Sequence, residues 1–96
     1  MKQHKIKLIG SAIESLLEQY GLDVRMKQYE VLEIWDAAVG EQIAKATKPE
    51  KIDRGVLTVR VEKSVWRNEL SYMKKEIIEK LNMLMQEEIV KEIIFR

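Results

Sequence analysis

The feature that most restricts the possible folds of this chain is a change in apolar spacing near residue 63. From residue 56 to residue 62, apolar and polar residues alternate, which is typical of a strand with one buried face. Leu57, Val59 and Val61 share the apolar side, and Thr58, Arg60 and Glu62 share the polar side. Large apolar residues then recur every three or four positions, which predicts a helix with one apolar stripe: Trp66, Leu70, Met73, Ile77, Leu81 and Leu84.

Two helices are predicted before this region. The first runs from about Lys5 to Tyr20, and Gly21 is expected to end it in the left-handed conformation. Its apolar stripe consists of Ile6, Ile9, Ile13, Leu16, Leu17 and Tyr20. The second runs from about Met26 to Ala46, with Asp23 as a cap near its start and Gly40 marking a kink or a close helix contact. Its apolar face carries Leu32, Trp35, Val39 and Ile43.

The remaining segments read as strands around one long helix. Pro49 requires the second helix to end before it, and Ile52 lies in a short first strand. The sequence Asp53-Arg54-Gly55 is typical of a hairpin turn. Ser64 is predicted to cap the long helix, which extends to about Met85. The β-branched and aromatic segment from Ile89 to Arg96 predicts a final strand.

The predicted element order is therefore α-α-β-β-α-β, in an α+β, two-layer fold. Its three-stranded sheet has helices packed on one face. If the long helix forms a right-handed crossover, the second and third strands are parallel. With 96 residues, the chain is expected to be one domain, residues 1–96, in which residues 1–22 form an N-terminal helix.

The composition argues against several classes of function. The chain has no cysteine and only one histidine, His4, so a thiolate metal site or a nucleophile–histidine pair has no basis in the sequence. No phosphate-binding loop and no metal-ligand spacing occur. No apolar run reaches the roughly 18 residues of a transmembrane helix. We expect a cytoplasmic binding protein without enzymatic activity, cofactor, small-molecule substrate or membrane contact.

Charge is distributed unevenly along the chain. The totals are nearly balanced, with 17 basic and 16 acidic residues. Residues 45–67, however, contain seven basic and three acidic residues, a net charge of +4. A basic hairpin followed by a helix N-terminus favours anion binding, and an aromatic ring there could stack a base. The predicted nucleic-acid-binding residues are Lys45, Lys48, Lys51, Arg60, Lys63, Trp66 and Arg67.

Bland interpretations of these residues compete with binding. Trp66 begins the long apolar stripe and Trp35 lies within another, so both are core candidates. Lysines on a hairpin often serve solubility and protect the sheet edge. Met83 and Met85, with Met73 and Leu84, could form an adaptable patch for a partner helix, although methionines more often fill a core.

Several segments in this order resemble the DciA family over roughly residues 29–96. They are Trp35-Asp36-Ala37-Ala38-Val39-Gly40, Ile43-Ala44, Thr47-Lys48-Pro49, Gly55-Val56-Leu57-Thr58-Val59, Ser64-Val65-Trp66 with Glu69-Leu70, Leu81-Asn82, and the closing segment from Val90 to Phe95. The resemblance implies a KH-like domain and a role in bacterial DNA replication. It also implies binding to the replicative helicase DnaB and to DNA, assisting helicase loading without an ATPase.

The sequence departs from the implied pattern in two ways. The Gly-x-x-Gly loop of KH domains is missing, so a DNA contact would depend on the basic hairpin and the start of the long helix. Many relatives also carry an extension, whereas this sequence is expected to be essentially the domain alone. Two alternatives stay open: a protein-only adaptor, using the first helix or the Met83–Met85 end of the long helix, and a KH-like RNA-binding module.

Overall fold

The computed structural model describes residues 21–96, together with residues 12, 13, 15 and 16, which are helical. Those four residues lie within the first predicted helix; the rest of that helix and His4 lie outside the described residues. The elements that follow are α1 (Leu22–Val39), α2 (Glu41–Ala46), β1 (Thr47–Asp53), β2 (Val56–Val61), α3 (Ser64–Ser71), α4 (Lys74–Met85) and β3 (Glu92–Phe95). The α+β class and the α-α-β-β-α-β order are confirmed, although two of the predicted helices are each divided in two.

The three strands form one sheet in the order β1-β2-β3. β1 is antiparallel to β2 and β3 is parallel to β2, as predicted from the crossover. Val59 lies at the centre, opposite Pro49 on one side and Phe95 on the other. Pro49 belongs to β1 itself, which extends further than the predicted short strand, because an edge strand tolerates the missing N–H. The register shifts between Pro49 and Lys51, which indicates a bulge.

A tight turn joins β1 to β2. Arg54 and Gly55 both have positive φ angles, of 50° and 82°. This pair of conformations fits the twist of a two-residue hairpin. The turn predicted at Asp53-Arg54-Gly55 is confirmed.

One face of the sheet packs against the helices and forms the core. Leu57, Val59 and Val61 of β2 are buried together with Ile93 of β3, as the alternation predicted. The helices contribute Val31, Trp35, Ala38, Leu70, Ile77 and Leu81. Trp35 is completely buried, and its ring lies 6.5 Å from that of Phe95, which confirms its predicted core position.

The second predicted helix differs from expectation at both its start and its middle. Gly21, which is left-handed as predicted (φ 68°), is the N-cap residue, so the helix begins at Leu22 and Asp23 lies inside it. The prediction that Asp23 is a cap is wrong, because the glycine lets the chain enter the helix earlier. Gly40 (φ 88°, ψ 165°) separates α1 from α2, which confirms a kink.

The long helix predicted from Ser64 to Met85 is wrong in two respects. Lys63 is the N-cap residue and Ser64 is the first helical residue, with no side-chain cap hydrogen bond. The helix also breaks after Ser71, whose Oγ donates to the Asn68 carbonyl at 2.6 Å and competes with helix continuation. The N–H groups of Tyr72 and Met73 donate three residues back, which tightens the turn.

The final strand is shorter than predicted. β3 contains only Glu92–Phe95, and residues 89–91 lead into it. Asn82 of α4 holds this lead-in segment: its Oδ1 accepts from the N–H groups of Ile89 and Val90, and its Nδ2 donates to the Val90 carbonyl. Residues 89–91 therefore spend hydrogen bonds on a side chain instead of on a strand ladder.

Candidate nucleic-acid interface

The junction between α2 and β1 is fixed from inside the core. The buried Trp35 Nε1 donates to Thr47 Oγ1 at 2.9 Å, and Thr47 Oγ1 donates to the Ile43 carbonyl at 2.8 Å. This chain of hydrogen bonds ties the end of α2 to the first residue of β1. Lys45 precedes Thr47 by two residues and Lys48 follows it, so their backbone positions are set by a buried network.

Two cations stand side by side on the outer face of the sheet. Lys48 of β1 is registered directly opposite Arg60 of β2, and both side chains are exposed. Like charges in such a pair are destabilising. Neither forms an ion pair with any acid in the described part of the chain. The pair therefore does not serve the stability of the sheet, and it offers two free donors to an anion.

The start of α3 adds a third cation and a set of backbone donors. Lys63, the exposed N-cap residue, supplies no side-chain hydrogen bond to the helix, and no acidic residue occupies the first turn. The first N–H groups of a helix and the macrodipole both favour an anion at this end. The electrostatics of this terminus thus match those of the neighbouring sheet face.

These elements enclose an open groove with a volume of about 640 Å³. Five of the seven predicted residues line it: Lys45, Lys48, Arg60, Lys63 and Trp66. Trp66 is half-buried and packs against the core, so its ring serves the core and also forms part of the groove wall. We call this groove, together with Gln42, Ala46, Thr47 and Glu62, the basic groove.

The other two predicted residues lie outside the basic groove. Lys51 is exposed on the same sheet face, opposite Thr58 and one row further along the strands. Arg67 lines an adjacent groove and donates from Nη1 to the Val61 carbonyl at 3.1 Å, which anchors α3 to the end of β2. Within the basic groove, Lys45 differs from the other cations because it pairs with Glu41 at 3.2 Å.

Arg96 belongs beside this surface, and the sequence prediction missed it. It lines the adjacent groove with Arg60 and Arg67, and its Nε donates to Glu50 Oε1 at 2.9 Å. The parallel pairing of β2 with β3 brings residue 96 next to residue 60. A basic residue ending a predicted strand gives no signal of this placement unless the register of the sheet is known.

The methionines do not form one patch. Met73 and Met85 are partly buried against the core, in line with ordinary core filling, whereas Met83 and Leu84 are 67% and 47% exposed. Among the described residues, no group of histidine, cysteine, aspartate and glutamate side chains is placed to hold a metal ion. No helix within the described ranges has the length and apolar character needed to cross a membrane.

Comparison with known proteins gives one family match and several relatives. The family model described as "Dna[CI] antecedent, DciA" matches residues 8–95. A "UPF0232 protein" of Mycobacterium tuberculosis is 31% identical over 83 residues, covering 86% of this chain and 44% of the relative. The "UPF0232 protein in recF-gyrB intergenic region" of Mycolicibacterium smegmatis is 27% identical over 84 residues, covering 88% and 43%. A Rhodococcus jostii "UPF0232 protein" is 28% identical over 82 residues, covering 85% and 44%. The chain thus spans less than half the length of these relatives.

Proposed function

The chain belongs to the DciA family, whose model matches residues 8–95, and from this premise we propose that it is a non-enzymatic DNA-replication factor. In this proposal it binds the replicative helicase, of the DnaB type, and DNA, and it assists helicase loading. The action consists of holding two macromolecules together, so it requires neither a nucleophile nor a cofactor.

The observation that carries the DNA-binding half is the basic groove. Lys48, Arg60 and Lys63 converge on one groove and form no ion pair among the described residues. Nucleic-acid phosphates would supply the negative charge that these side chains lack within the protein, releasing counterions as they bind. The elements that carry the three cations come from three different parts of the chain, which supports a shared binding role over simple solubility.

Trp66 supports a nucleic-acid ligand over a simple anion. Its half-buried ring lines the same groove as the three cations. A base stacked on an aromatic ring beside phosphate-binding cations is the usual arrangement for binding single strands. We therefore assign phosphate contact to Lys48, Arg60 and Lys63, and base contact to Trp66.

The experiment is fluorescence anisotropy of a labelled single-stranded oligonucleotide with the pure protein over a range of salt concentrations. Replacing Lys48 and Lys63 together by glutamine should weaken binding and flatten its salt dependence by about 0.7 per lost phosphate contact. The matched control replaces Lys75 and Lys80, two exposed α4 lysines, and changes net charge equally. Equal losses in both variants would contradict the groove assignment. Competition between single-stranded RNA and DNA separates the DNA proposal from the RNA alternative.

A protein-only adaptor is the second candidate, favoured by the exposed Met83 and Leu84 at the end of α4. Exposed apolar side chains with flexible Met character suit contact with a partner helix. Recovery of helicase from nuclease-treated extract, with no DNA binding by the pure protein, would support this candidate. Replacement of Met83 and Leu84 by serine should then abolish recovery.

A further inference from the structure

A second groove adjoins the basic groove, and its charge is concentrated in three arginines. It has a volume of about 540 Å³ and is lined by Arg60, Val61, Glu62, Arg67 and Arg96. Arg60 and Glu62 also line the basic groove, so the two grooves share a wall. A chain molecule lying in the basic groove can therefore continue past Arg60 into the second groove.

The three guanidinium groups stand on fixed backbone. Arg60 lies within β2 between the buried Val59 and Val61. Arg96 is held to β2 by two backbone hydrogen bonds, from its N–H to the Val59 carbonyl and from the Val61 N–H to its carbonyl. Arg67 donates from Nη1 to the Val61 carbonyl, which leaves its other N–H groups for a ligand.

Glu50 occupies the Arg96 guanidinium in the structure described here. The Nε–Oε1 distance is 2.9 Å, with Arg96 64% exposed and Glu50 27% exposed. Because β1 and β3 flank β2, this ion pair crosses the central strand. An exposed pair of this kind is weak, so a stronger anion can replace the carboxylate. Arginine forks bind phosphate in a bidentate manner, which a lone carboxylate on a bulged edge strand matches poorly.

We propose that Arg60, Arg67 and Arg96 form a second phosphate subsite, which takes a phosphodiester of the nucleic acid held in the basic groove, and that Glu50 competes with this phosphate for Arg96. The subsite rests on the proposed function, because it extends the same nucleic-acid path. Glu62 lines both grooves and opposes the anion in each, so it does not distinguish them, whereas Glu50 acts through Arg96 alone.

The test is a double-mutant cycle on Glu50 and Arg96, with labelled single-stranded DNA as the probe. Arg96→Gln should weaken binding about two- to fivefold, the range of one exposed ion pair, and lower the salt slope by about 0.7. Glu50→Gln should strengthen binding by a similar factor, and this gain should vanish when Arg96 is also replaced. Glu79→Gln, on an exposed residue of α4, is the control for net charge, and its small effect should persist in both backgrounds.

Each outcome separates the subsite from the function. If Arg96→Gln leaves affinity and salt slope unchanged while Lys48→Gln with Lys63→Gln weakens binding, the subsite is wrong and the proposed function stands. If Glu50→Gln strengthens binding equally with and without Arg96, the competition is wrong. If the wild-type protein binds no DNA, both proposals fail. Arg96→Lys, which keeps the charge and loses the fork, should retain the salt slope with weaker affinity, and it serves if the glutamine variant does not fold.

Discussion

Thr47 is the residue that connects the core to the basic groove. Its Oγ1 accepts from the completely buried Trp35 and donates to the Ile43 carbonyl. Both bonds are side-chain contacts between residues that are distant in type and close in space. The Trp and Thr-x-Pro pieces of the family resemblance thus have a shared structural reason: they hold the α2–β1 junction in place.

Replacing Thr47 by valine tests this connection. Valine keeps the shape and the strand preference of threonine, but it leaves the buried Trp35 N–H without a partner. The free energy of unfolding should fall by about 1–3 kcal/mol, which lowers the melting temperature by about 4–8 °C for each kcal/mol in a domain of this size. Thermal unfolding followed by circular dichroism measures the loss. A variant as stable as the wild type would show that the bond contributes nothing.

Asn82 fixes the approach to β3 with three hydrogen bonds to Ile89 and Val90. Replacing Asn82 by leucine removes all three and should cost about 2 kcal/mol or more, because Val90 is 1% exposed and its backbone groups lose their partners. Aspartate keeps both acceptor bonds and loses only the donor, so its loss of stability should be smaller. Urea unfolding of the two variants decides the matter: equal losses would contradict the clamp.

At the scale of elements, Gly40 determines where α2 points. Its φ of 88° and ψ of 165° lie in a region that is essentially restricted to glycine. Space is not the constraint, because an added Cβ would meet nothing within 4 Å. The kink therefore requires glycine for its backbone alone, and it turns α2, with Lys45, toward the sheet.

Gly40→Ala should destabilise the fold by about 1–3 kcal/mol. It should also weaken DNA binding, since alanine favours a straight α1–α2 helix that carries Lys45 away from the basic groove. Unfolding and anisotropy measurements on the same sample test both effects. Ala37→Gly in α1 is the control: it should lower stability by about 1 kcal/mol and leave affinity unchanged. An alanine variant that binds DNA normally would show that the kink does not position the groove.

The same scale shows where sequence reasoning succeeds and where it fails. The alternation in β2 and the turn at Arg54 and Gly55 predicted strand and hairpin correctly, because local spacing and positive φ are properties of adjacent residues. The break after Ser71 was not predictable, since the apolar stripe continues through it and no proline or glycine marks it. Residues on both sides of the break, Leu70 and Ile77, still reach one core.

At the scale of the whole molecule, the charge is sorted by the sheet. Helices cover one face, and Lys48, Lys51 and Arg60 are exposed on the other. The sequence identified this basic stretch as a block, and five of its seven chosen residues share one groove. It could not place Arg96, because only the parallel pairing of β2 and β3 brings the end of the chain segment beside Arg60. Long-range register, not residue type, is the missing information.

The central claim is that one molecule holds DNA and the helicase together. The most direct measurement is fluorescence anisotropy of labelled single-stranded DNA with the pure protein, at low and at physiological salt, with and without a DnaB-type helicase. The account predicts salt-sensitive binding by the protein alone, and tighter binding of the mixture than of either component. Absence of DNA binding in every condition, with the helicase still bound, would contradict the account and leave an adaptor that contacts protein only.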